Sequence, residues 1–170
     1  MQMLNRYFVP FALILILSAI YFSSPDQKVV NIAFGILAFA MAVNWWFSKN
    51  TYRYIHLAKQ MKFLQVWLNY VWAVPLVYLL LPFWGPMWLL FAMAPITAAL
   101  FSNRWHTLGM ALVSAGTMLG IYYKQGAFEA GWAEGMAGMT YVHAAFIVII
   151  ALFVYGLAQT ALRLRDARLG

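Results

Sequence analysis

The sequence predicts an all-α polytopic membrane protein, a bundle of six transmembrane helices, and three observations carry that prediction. Of the 170 residues, 65% are hydrophobic and only 9% are charged. The 41 residues between Lys62 and Arg104 contain no Asp, Glu, Lys or Arg, and shorter uncharged runs follow Arg6, Lys28, Arg104 and Glu134. Each run is long enough for a helix of roughly 20 residues to cross the hydrocarbon core. A helix at the surface of a soluble protein needs a polar face to meet water, and these runs have almost none. Third, the few charges punctuate the apolar runs and alternate in number from one interruption to the next.

Taken in order, the expected spans are 7–23, 29–48, 63–84, 86–102, 105–123 and 141–162, forming a single domain over 1–170 with a short basic tail at 163–170. The first span follows Arg6 and ends at "SSPDQ", which resembles a secretory leader. No small-x-small cleavage site stands clearly before Ser23, so the span is expected to be retained. Pro82, Gly85 and Pro86 break the long uncharged run into two helices joined by a tight turn. The first and fourth spans are short and are expected to lean on flanking aromatics.

The stretch "WWFSKNTYRYIHLAKQMKFL", residues 45–64, holds four of the eleven basic residues and no acid. With the N-terminus in the cytoplasm, the inner segments hold Arg6; Lys49, Arg53, Lys59 and Lys62; Arg104; and Arg163, Arg165 and Arg168. The outer segments hold only Lys28 and Lys124. Nine against two is a strong positive-inside bias. It places both termini in the cytoplasm and makes residues 45–64 the main cytoplasmic loop. Tyr52, Tyr54, Ile55 and Leu57, set among its bases, are suited to lie on anionic headgroups. Trp45, Trp46, Trp67 and Trp105 are expected in the inner aromatic belt, and Trp84, Trp88, Tyr122, Tyr123 and Tyr141 in the outer one. The net charge of +7 is therefore a topology signal. A nucleic-acid partner is not expected, because that would need a broad basic face.

Chemistry-bearing residues are sparse. There is no cysteine, so disulfides and thiolate metal sites are excluded. No Asp, Glu, Lys or Arg falls inside a span, which argues against a proton- or ion-coupled pump. A haem between two helices needs two axial ligands at similar depth. His106 starts the fifth span at the inner side and His143 starts the sixth at the outer side, while His56 lies in the cytoplasmic loop. Ser114 in "VSAGT" and His143 in "YVHAAF" invite comparison with intramembrane serine proteases, but their expected depths differ by roughly 10–15 Å. A nucleophile and its base must come within hydrogen-bond reach. Ser114 is instead expected to pack or to bond back to its own helix. The expectation is a chain that is not an enzyme and has no catalytic residue, metal or cofactor of its own.

Packing signals are more specific. Gly109, Gly116 and Gly120 share one helical face, and "GTMLG" is a GxxxG pattern, so this face is expected to pack closely against another helix, with a dimer seam or a ligand cleft as the alternatives. Asn44 lies near the inner end of the second span, and Gln65 and Asn69 share a face of the third. An amide in hydrocarbon requires a partner, so an interhelical bond between Asn44 and Asn69 is expected. A ligand pocket around Asn44, Asn69 and Trp72, suited to a neutral or weakly polar molecule, is the sharper alternative. The segment "KQGAFEAGWAEGMAGMTY" is expected to be a glycine-rich exterior connection, with Glu129 and Glu134 available to a cation. The sixth helix is expected to continue past the membrane into "ALRLRDARLG", with Asp166 paired to Arg163 three residues before it.

Six spans, both termini inside, a tight outer turn at "LLLPFWGPMW" and a last helix running into "ALRLRDARLG" resemble the membrane input modules of bacterial sensor kinases and cyclases. The resemblance is architectural. It implies a non-catalytic module of the bacterial cytoplasmic membrane that passes a signal through its last helix to a cytoplasmic protein partner, or acts as a scaffold or homodimer. Two other classes stay open from the residues. Solute-capturing subunits of energy-coupling-factor importers share this size and topology, so a small-solute transporter or its binding subunit is one. A membrane subunit of a redox or other multi-protein complex is the other.

Overall fold

The structure is a computed structural model, and it describes residues 2–51, 58–126, 128 and 134–169. Among the described residues the chain forms six α-helices and no strand. They are α1 (Gln2–Ser23), α2 (Gln27–Thr51), α3 (Ala58–Leu80), α4 (Leu89–Phe101), α5 (Arg104–Lys124) and α6 (Glu134–Leu169), with a short 3-10 turn at Gly85–Trp88 before α4. Three stretches are long and apolar enough to cross a membrane: Gln27–Phe47, Phe63–Leu80 and Ala137–Ala167. Two shorter apolar helices, Val9–Ser23 and Gly85–Phe101, accompany them.

Four helix ends have a local cause in the sequence. α1 closes on Ser24, whose φ of 42° is left-handed and whose N–H donates to the Ile20 carbonyl at 3.1 Å. Pro25 follows, and it cannot extend the helical ladder. α3 ends as Leu80 accepts from both Phe83 N (3.0 Å) and Trp84 N (2.9 Å), just where Pro82 interrupts. Gly85 and Pro86 then open the 3-10 turn. Asn103 caps α5: its side-chain oxygen accepts from the His106 N–H at 2.9 Å, satisfying one of the free donors of a helix start. At the other end Gly126, with φ 78°, returns its N–H to the Tyr123 carbonyl at 3.1 Å. That left-handed turn is one that glycine adopts without strain.

The connection between α5 and α6 is shorter than the sequence implies. α6 begins at Glu134, so Gly135 and Gly138 are helical rather than part of a pliable loop. An isolated glycine costs a long helix only about 1 kcal/mol, which an apolar run of this length absorbs. Gly131, Glu129 and Trp132 lie outside the described residues.

The chain divides into two compact units, Met1–Leu90 and Phe91–Gly170. In the first, α2 packs on α3 and on α1, and the 3-10 turn touches both α1 and α3. The buried line of α2 runs Ala33, Leu37, Ala40, Asn44, Phe47, a 4-3-4-3 spacing that keeps one narrow seam toward its neighbours. The end of α1 is pinned to the turn: Phe22 stacks on Trp84 at 5.3 Å, and Ser23 Oγ donates to the Phe83 carbonyl. In the second unit, α5 packs on α6. α5 buries Met110, Ala111, Ser114, Ala115 and Met118, and α6 buries Thr140, Ala144, Ile147 and Ala151. Small residues on both lines let the two backbones approach closely. The outward faces are apolar too. In the first unit Ile32 and Phe39 are exposed, and in the second Val142, Ile149 and Phe153.

Candidate functional site

The buried polar atoms of the first unit converge on the α2–α3 seam. Asn44 stands on the buried line of α2, while Gln65 and Asn69 are one turn apart on α3; all three are buried, at 4%, 1% and 3% exposure. Asn44 Nδ2 donates to Asn69 Oδ1 at 3.0 Å, and Gln65 Nε2 donates to Asn44 Oδ1 at 3.1 Å. The amide of Asn44 is therefore used on both sides, as donor and as acceptor. The result is a directed chain, Gln65 to Asn44 to Asn69, in which each bond polarises the next. The interhelical bond between Asn44 and Asn69 is the one the sequence implies. The bond from Gln65 is additional; the sequence shows only that Gln65 and Asn69 share a face of α3, four residues apart.

Trp72 lies one turn beyond Asn69 on α3. Its ring meets Phe39 of α2 edge-on at 5.0 Å, and its indole Nε1 is buried with no hydrogen bond. The seam thus holds two satisfied amide contacts and a nearby indole donor to spare. None of these groups gains or loses a proton near neutrality. The site can align, clamp or bind, but it cannot move protons.

The remaining candidates are dispersed. Ser114 is fully buried, but its Oγ makes no hydrogen bond, so it packs on α5 without bonding back to its own helix. His106 is exposed at the start of α5, its Nδ1 at 2.7 Å from Asn103 Oδ1, a capping role. His143 is half-buried near the start of α6, and His56 lies outside the described residues. Among the described residues, no three His, Asp or Glu side chains gather as metal ligands would. Asp166 pairs with its neighbour Arg165 at 3.2 Å rather than with Arg163. Both partners are more than 60% exposed, so either rotamer is accessible to solvent and the pair adds little stability.

Within the single chain, the expected packing face of α5 is open. Gly109, Gly116 and Gly120 are exposed, and a Cβ built at any of them would meet nothing within 4 Å. The residues of α5 that the chain buries, Met110, Ala111, Ser114, Ala115 and Met118, lie on the opposite face. Apolar residues surround α5, so its hydrophobic pattern left both faces eligible, and small residues mark close approach only where a neighbour arrives. A different cluster went unread in the sequence: Tyr123 at the end of α5, Phe128 in the connection and Tyr141 on α6 draw together. They are 18 residues apart at the extremes, and only the α5–α6 hairpin brings them to one place. No family model, curated protein or solved structure matches this chain.

Proposed function

We propose that the chain is a non-catalytic membrane input module of a bacterial cytoplasmic membrane, with six spans and both termini in the cytoplasm. It takes a signal from the membrane or its outer face and passes it to a cytoplasmic protein partner through α6. The basic stretch at 45–64 holds it against anionic lipid. The observation that supports this reading most is the length of α6. Its 36 residues, Glu134–Leu169, are unbroken, which corresponds to about 54 Å at 1.5 Å per residue. The hydrocarbon core is about 30 Å thick, so one continuous rod reaches well beyond it. Its buried line ends at Ala151, and every residue from 160 to 167 is exposed. A rotation or shift of the packed half is thereby delivered to the free half without loss in an intervening loop.

The test is helical phase. The catalytic half of a sensor kinase is fused after Leu169 with zero, one or seven alanines inserted, and autophosphorylation is measured in membranes. One residue turns the helix by about 100°, and seven return it to within about 20° of the start. Activity should change with one alanine and recover with seven. Output that ignores the insert length would contradict a relay through α6.

A further inference from the structure

Tyr123, Phe128 and Tyr141 wall an open depression of about 500 Å³ whose floor is Leu119 and Gly120. Phe128 stands between the two tyrosines, 6.4 Å from the ring of Tyr123 at 37° and 5.6 Å from that of Tyr141 at 55°. The volume falls within the range of small-molecule sites. Gly120 contributes no side chain, and the space where its Cβ would lie is empty within 4 Å, so the floor stays open.

From this geometry we infer that the depression is an aromatic box for a methylated or quaternary ammonium group. Ring faces carry negative quadrupole potential, and several rings around one space attract an organic cation while also covering its methyl groups. The rings are mutually tilted, forming walls rather than the parallel slot that a flat ligand would occupy. Local charge agrees in sign. Between Lys124 and Arg163 the only charged residues in the sequence are Glu129 and Glu134, so this stretch of the chain carries acids and no base. An anion is disfavoured by the ring faces. These three rings come from three segments, α5, the connection and α6, to one void. This site stands apart from the relay reading, and neither depends on the other.

The ammonium group could belong to a free solute or to a lipid headgroup, and the test separates these sources. The full chain in detergent micelles is titrated calorimetrically with choline and with 3,3-dimethylbutan-1-ol, which has the same shape without the charge. Choline should bind saturably, with the alcohol at least ten-fold weaker. Phe128→Leu and Tyr141→Leu should each weaken choline at least ten-fold with an unchanged unfolding temperature, while Tyr123→Phe, which keeps the ring, should bind as the parent does. In nanodiscs, displacement of choline when phosphatidylcholine replaces phosphatidylglycerol assigns the headgroup as ligand, and undiminished choline binding assigns a free solute. Absence of saturable choline binding, equal binding of the alcohol, or leucine variants that bind choline normally would overturn the proposal.

Discussion

At the scale of single residues, Asn44 fixes how α2 meets α3. Its amide is engaged by Gln65 on one side and Asn69 on the other, and sliding α2 by one residue would take it off the seam. Polar bonds between helices in a bilayer contribute about 0.6 kcal/mol on average and up to about 1.7, and stranding the partner amides adds a desolvation cost. Asn44→Val is therefore expected to destabilise the protein by about 1–2 kcal/mol in detergent unfolding. Asn69→Leu alone should cost a similar amount, but the double variant should cost less than the sum, because neither change then strands the other's partner. Fully additive losses would show that the amide bond is not what the two residues share. This contact was legible in the sequence, because an amide in an uncharged apolar run has no water to turn to. The idle indole of Trp72 and the second bond from Gln65 were not, since both depend on the rotation of α3 about its axis.

At the scale of elements, the helix limits followed from local chemistry and the helix faces did not. Prolines at 25, 82 and 86, the cap at Asn103 and the glycine at 126 mark ends by backbone geometry alone, and the helices stop at or beside them. Faces are a different matter, because in an apolar helix polarity no longer separates inside from outside. α5 illustrates the consequence: its glycine line, which reads as a packing motif, faces outward with open space beside it. Gly116→Ala is accordingly expected to raise the stability of α5, by up to about 1 kcal/mol, because alanine has the higher helix propensity and meets no neighbour. The check is the unfolding temperature of the variant in detergent. A clear fall would mean that another helix or a second copy occupies that face after all. α6 likewise starts earlier than its glycines imply, because the hydrophobic run beyond them carries the helix back to Glu134.

At the scale of the whole molecule, the sparse charges orient what the apolar runs define. The seams are built from small residues and a few amides, the outer faces are large and apolar, and the bases gather on alternate connections. In the proposed arrangement lipid surrounds the helices and the bases remain on one side of it. The absence of cysteine from the sequence gives a clean background for testing that arrangement. Cysteines are introduced one at a time at Ser24, Gln125, Asn50 and Leu164, and intact cells are exposed to a thiol reagent that cannot cross the membrane. With six spans and both termini inside, Ser24→Cys and Gln125→Cys should be labelled in intact cells, while Asn50→Cys and Leu164→Cys should react only after the membrane is opened. The inverted pattern would reverse the orientation, and labelling of all four in intact cells would contradict a chain that spans the membrane.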